Sequence, residues 1–129
     1  MQYFSVLIGG GLGSVSRFIL SKFVNNFLDL SFPIGTFVVN LVGCFLIGFL
    51  FGIFETTFIS QNKRLFIFTG FLGGFTTFSS FELESLSLIR DHHITKGLLY
   101  VILGNVLGLL MVYAGILISK FISSTTSYK

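Results

Sequence analysis

Charge is what this sequence has least of. Asp, Glu, Lys and Arg make up 10% of its 129 residues, against about a quarter in soluble domains. That excludes an ordinary water-facing surface. The Lys and Arg residues are scattered between apolar runs, with no basic patch, so nucleic acid is excluded as a partner. Cys44 is the only cysteine, which rules out an internal disulfide. Inside its apolar run the thiol acts as a small hydrophobe.

In excess are apolar residues, 53% of the chain with 18 Phe among them. Apolar runs longer than about 18 residues recur and read as membrane spans. The expectation is an all-α membrane protein, a single domain over residues 1–129 with four transmembrane helices. The spans run roughly from Tyr3 to Phe23, Pro33 to Phe54, Lys63 to Arg90 and Lys96 to Phe121. Pro33 fits a first turn, where its missing N–H costs least. The connections carry Asn25, Asn26 and Asp29, then Ser60, Gln61 and Asn62, then Arg90, Asp91, His92 and His93. Met1 to Phe4 lack a basic segment, and no A-x-A site follows the first run. That run reads as a retained helix, not a cleaved signal. The polar tail from Ser123 to Lys129 is expected to fray.

Four spans put Lys63, Arg64, Lys120 and Lys129 on one side and Lys22, Arg90 and Lys96 on the other. Loop cations usually set orientation, and this split gives almost no bias. Either one Lys decides a single orientation, or the chain inserts both ways up and two opposite copies pair as an antiparallel, dual-topology dimer. Four helices are too few to wall off a pore comfortably, and homodimers are the commonest oligomers. Gly9 and Gly13, Gly48 and Gly52, Gly70 and Gly74, and Gly104 and Gly108 form a small-xxx-small pair in every span, as tight helix packing requires.

Polar groups inside a membrane are expensive. The third span holds a run of them, from Gly70 through Gly73, Gly74, Thr76, Thr77, Ser79 and Ser80 to Phe81. Two adjacent glycines and four hydroxyls predict a break in the helix at mid-membrane. Backbone groups freed there must be satisfied by protein, water or an ion. Carbonyls and hydroxyl oxygens suit a hard cation such as Na⁺; N–H groups and hydroxyl hydrogens suit an anion. A plain packing seam of small residues is the bland alternative. Asn40 and Asn105 lie inside the second and fourth spans, as interhelix glue or on a polar path. Arg17, inside the first span, either snorkels toward Lys22 or lines an anion-attracting vestibule. Glu84 falls near the Thr77 face and ends a polar stripe; with Glu82 it argues, alone, for a cation path. Phe78 and Phe81 are neighbours on one helical face, and their ring edges are positive. His92 and His93 read as solvated surface residues, since a metal site needs more ligands.

Four stretches together resemble the Fluc (CrcB) family of fluoride channels. They are Gly9 to Arg17, Gly35 to Gly43, Gly70 to Phe81 with Glu84 after it, and Gly104 to Gly108. They occur in the family's order and spacing across all four spans, and the third is highly specific. The resemblance implies a four-helix subunit with a broken third helix, in a prokaryotic plasma membrane. It implies two subunits paired antiparallel, two narrow pores and a structural Na⁺ at the centre. The partner would be a second copy, or a homologous subunit supplying the other orientation. The Na⁺ ligands would be backbone carbonyls at positions matching Gly73 and Thr76. The pore asparagine matches Asn40, the pore phenylalanines match Phe78 and Phe81, and the vestibule arginine matches Arg17. Family members often carry a polar track on the fourth helix after a tyrosine. Tyr100 matches that tyrosine, but the track positions here are Gly104 and Gly108, without hydroxyls. Ser80 replaces the usual Thr.

The mechanism this implies is passive fluoride flow that lowers its cytoplasmic concentration. The Asn40 amide, the Thr77 and Ser80 hydroxyls and the edges of Phe78 and Phe81 would replace the ion's water. A proton-coupled small multidrug exporter is the first rival. It requires an acidic residue in the first span, which has Arg17 instead, and the chain has no Trp. A non-transporting assembly subunit is the second, and it has no need of a polar break.

Overall fold

The computed structural model describes residues 1–27 and 32–126. Asp29 and Lys129 lie outside them. The described residues are helical, with no strand among them. Helix α1 spans Gln2–Phe27 and α2 spans Ile34–Thr56. A short α3, Gln61–Arg64, leads into a π-helix, Leu65–Leu72, and then a single turn, α4, Gly73–Phe75. Two extended residues follow before α5, Phe78–Arg90, and α6, Ile94–Thr126. Among the described residues, three helices are long and apolar enough to cross a membrane, namely α1, α2 and α6. The Gln61–Arg90 stretch is divided at Thr76 and Thr77, and no single piece of it has that length. The chain is a multi-pass membrane protein.

Several boundaries differ from the sequence reading. Asn25 and Asn26, assigned to a connection, close α1 instead. The Asn25 side chain reaches across the turn, and its Oδ1 accepts the Gly35 N–H at 3.0 Å. One orphan donor of the α2 N-terminus is thereby satisfied. Pro33 precedes the first helical residue as N-cap, with φ −75°. Helix α6 continues through Ser123, where a frayed tail was expected. The Ser124 hydroxyl bonds back to the Phe121 carbonyl at 2.8 Å, a bond that costs the helix little.

Two glycine-lined seams hold the subunit together. In one, Gly48 faces the Val112 carbonyl and Gly115 faces Phe45 and Gly48, backbone against backbone, while Gly52 makes room for the Ser119 side chain, joining α2 to α6. In the other, Gly9 faces Phe66 and Gly70, Gly13 faces Phe71 and Phe75, and Gly74 faces Gly10, joining α1 to the π-helix and α4. The small-residue pairs thus work inside the subunit, where close approach gains dispersion energy that lipid cannot match. The buried apolar core is small, comprising Val39, Leu72, Phe75, Phe81, Leu88 and Tyr100. Most large apolar side chains of α1 and α6 point outward, Tyr3, Leu7, Phe18, Leu109 and Phe121 among them. Outward apolar faces of this extent suit hydrocarbon, not water.

Candidate functional site

The site is built around the interruption at Thr76 and Thr77. Thr76 has φ −82° and ψ 155°, Thr77 φ −144° and ψ 111°, both in extended backbone. Local chemistry ends one helix and starts the next. Thr76 gives both its N–H and its hydroxyl to the Leu72 carbonyl, each at 3.0 Å, which closes α4. Thr77 is the N-cap of α5, and its Oγ1 accepts the Ser80 N–H at 3.3 Å. Threonine is a preferred N-cap for that reason. The Thr77 hydroxyl also donates to Ser80 Oγ at 2.9 Å. One of the two hydroxyl protons is spent between them, which leaves the pair one to give.

Asn40, on α2, bonds both backbone groups of Thr77. Its Oδ1 accepts the Thr77 N–H at 2.9 Å, and its Nδ2 donates to the Thr77 carbonyl at 3.0 Å. The two readings of Asn40 are not exclusive. It ties α2 to the interruption, and it also lines the adjoining cavity. In a regular helix the Thr77 N–H would go to the Gly73 carbonyl. Asn40 takes that donor, which frees the Gly73 oxygen.

A cavity of about 340 Å³ opens beside the interruption. It brings together five of the residues singled out in the sequence, Asn40, Gly73, Thr76, Phe78 and Phe81, with Asn105 and Gly104 at its α6 wall. Phe78 is 72% exposed whereas Phe81 is 6% exposed, so the two rings stand differently although their centroids are 6.4 Å apart. The Phe81 ring lies on Tyr100, centroids 4.8 Å apart. Asn105 is exposed, and its Nδ2 donates within α6 to the Val101 carbonyl at 2.8 Å.

Tyr100 and Glu84 form a second polar group below Phe81. Glu84 Oε2 accepts the Tyr100 hydroxyl at 2.8 Å, and Oε1 accepts the Thr36 hydroxyl at 2.7 Å. Three helices meet on one carboxylate. Its two oxygens are occupied by hydroxyl donors, which moderates the cation-path argument drawn from acidic residues. Tyr100 is fully buried, and its hydroxyl also lies 3.3 Å from the Pro33 carbonyl. Tyr100, Glu84, Thr77 and Ser80 do not line the cavity itself. Arg17 is half-buried on α1 and also stands outside the cavity wall. His92 and His93 join no cluster of metal-ligating side chains among the described residues.

Thr36 is the residue that sequence reasoning passed over. It lies four positions before Asn40, hence on the same face of α2. That spacing would have found it.

Comparison with known proteins bears on what these residues do. Residues 4–116 match the family model described as "CrcB-like protein, Camphor Resistance (CrcB)". The chain is similar to a protein of Parabacteroides distasonis named "Fluoride-specific ion channel FluC", 44% identical over 120 residues, 93% of this chain and 94% of the relative. Proteins with the same name from Hydrogenobaculum sp. and Aquifex aeolicus are 46% and 42% identical. These alignments cover 89% and 91% of this chain, and 94% and 95% of those relatives.

Proposed function

The chain belongs to the CrcB family, and from that premise we propose that it is a passive, fluoride-selective membrane channel. The observation that carries this reading is the clamp of Asn40 on Thr77. It holds an opened backbone beside Phe78, Phe81 and a cavity, in a chain similar to proteins named for fluoride.

Fluoride is small and holds water strongly, so a path for it must offer several donors yet release the ion. An amide nitrogen carries two hydrogens. One of the Asn40 pair goes to Thr77, leaving the other for the ion. The Thr77 and Ser80 hydroxyl pair supplies a second donor. The positive edges of Phe78 and Phe81 supply weak contacts without a formal charge. The α5 N-terminus begins at this point, and its dipole favours an anion. Arg17 draws anions toward a vestibule. Thr36, Glu84 and Tyr100 extend the polar stripe from Phe81 toward the end of the path.

The pieces from Gln61 to Arg90 together form a fourth crossing, with the interruption at mid-membrane. Two copies pair in opposite orientation, as a near-even loop charge permits, and each contributes its Thr76–Thr77 segment to the centre. The Gly73 and Thr76 carbonyls are suited to a structural Na⁺ there, since Asn40 has removed the donor that Gly73 would otherwise bond. A bound Na⁺ supplies fixed positive charge that ties the copies together. Outside a cell, HF forms in acid, crosses the bilayer and dissociates within, trapping fluoride. A passive fluoride path lets it leave.

Fluoride efflux from liposomes holding only this purified protein tests the reading, with chloride efflux as control. Fast fluoride loss without chloride loss is expected. Equal loss of both ions, or of neither, would overturn it.

A further inference from the structure

Helix α6 carries glycine at 104, one turn after Tyr100. A side chain there must displace the ring of Phe81. A Cβ built on Gly104 lies 2.7 Å from both Cε2 and Cζ of Phe81, with Phe37 Cε2 at 3.8 Å. The Phe81 ring therefore rests on bare α6 backbone. Tyr100 supports it from below, with centroids 4.8 Å apart, and Tyr100 is itself held by Glu84 at 2.8 Å. Gly108 differs. A Cβ there meets only Cys44 Sγ, at 3.4 Å, close to an ordinary contact.

We propose that Gly104 is a positioning residue for the permeation path. Its missing side chain is the seat of the Phe81 ring, and that seat sets how near the ring edge stands to Asn40 and Phe78. This deepens the fluoride reading and rests on it. Carbon atoms pack best about 3.5–4.0 Å apart, so any side chain at 104 moves the far end of the ring by about 1 Å. Tyr100 lies against it, and Phe37 packs on the same cluster. The open side is the cavity that Phe81 lines. The displaced ring then narrows the cavity and turns its edge away from an ion beside Asn40. Glycine at this position is thus a fit to Phe81, not the loss of a hydroxyl.

The test uses the full chain in liposomes, with fluoride efflux counted per folded dimer, for wild type, Gly104→Ala, Gly104→Ser and Gly108→Ala. Melting of Gly104→Ala, Phe81→Leu and the double variant in detergent forms a double-mutant cycle. Both substitutions at 104 are expected to lower fluoride efflux at least tenfold per dimer, and Gly108→Ala to stay within twofold. The double variant should melt higher than the sum of the single losses predicts, because the smaller Leu leaves room for the new methyl. A merely structural role would lower the yield of folded protein and leave per-dimer efflux unchanged. Wild-type efflux from Gly104→Ala overturns the proposal. So does efflux from Gly104→Ser equal to or above wild type, which would make polarity and not space the issue. Additive melts overturn the seat itself, whatever the flux. A wild type that passes no fluoride, with coupled melts, overturns the fluoride reading and the path-setting role with it, while the Phe81 seat stands.

Discussion

Asn40 and Thr77 exchange two hydrogen bonds, side-chain amide to backbone amide, at 2.9 and 3.0 Å. Asn40 thus gives the Thr77 N–H the acceptor that the preceding turn of helix would have supplied. This is how an apolar environment tolerates the interruption. Without water, an unpaired backbone group has no partner, and the second helix supplies one.

Asn40→Leu keeps the size of the side chain and removes both bonds. The Thr77 N–H is then orphaned, at about 1–3 kcal/mol, while its carbonyl, at the N-cap, keeps the first bond of α5. The variant should melt well below wild type in detergent and pass no fluoride. A melting point within a degree of wild type would show that the clamp does not hold the interruption in place.

The two phenylalanines should separate in experiment. Phe78 is largely exposed and Phe81 is buried on Tyr100. Phe78→Ile is expected to abolish fluoride efflux while size-exclusion elution stays that of wild type, because the subunit loses little packing there. Phe81→Ala removes a buried ring and should cost about 3 kcal/mol, the low end for aromatic truncations, since lipid replaces water as the alternative solvent. Normal fluoride efflux from Phe78→Ile would end the ring-edge mechanism.

Much of this was legible in the sequence. Of the four spans read from the apolar runs, three stand as long apolar helices. The Gly70–Phe81 run marked the segment where the backbone leaves the helix, because paired glycines and a capping threonine are local signals. The pairing of Asn40 with Thr77 was not legible, because it joins residues 37 positions apart and periodicity carries no such information. The spacing from Asn40 would have placed Thr36 on the same face, but its bond to Glu84 joins residues on two helices and carries no such signal. Gly104 read as a missing hydroxyl because only the fold brings Phe81 against it. Asn25 read as a loop residue because its bond to Gly35 forms only once the chain has turned.

Tyr100→Phe tests the group around Glu84. It removes the hydroxyl that donates to Glu84 at 2.8 Å and leaves Thr36 as the remaining donor. A hydrogen bond to a charged group is worth about 1.5–3 kcal/mol, so melting should fall by a corresponding amount. Glu84→Gln is expected to fall less. Its amide oxygen still accepts from Thr36, and its nitrogen donates to a Tyr100 hydroxyl that turns to the Pro33 carbonyl. A larger loss for Glu84→Gln than for Tyr100→Phe would mean that charge, and not the bond pattern, holds the three helices.

The α1 seam gives the sharpest contrast in stability. Gly11 has nothing within 4 Å of a built Cβ, whereas a Cβ on Gly13 runs into the Phe71 carbonyl and lies 2.9 Å from the Phe75 nitrogen. The obstructing atoms at Gly13 are backbone and have no rotamer to change. Relief requires α1 to move off the π-helix and α4, opening the whole seam and giving up the dispersion contacts that close approach provides. Gly11→Ala should therefore melt at or slightly above wild type, since alanine is the better helix former by about 1 kcal/mol. Gly13→Ala should lose most of its folded, detergent-soluble yield. The two positions lie two residues apart on one helix, so membrane depth is closely matched while the faces are opposite, Gly11 exposed and Gly13 buried. Similar melting of both variants would mean that α1 does not pack on this face in the folded protein. The contact of Ser14 with the Gly74 carbonyl would fall with it.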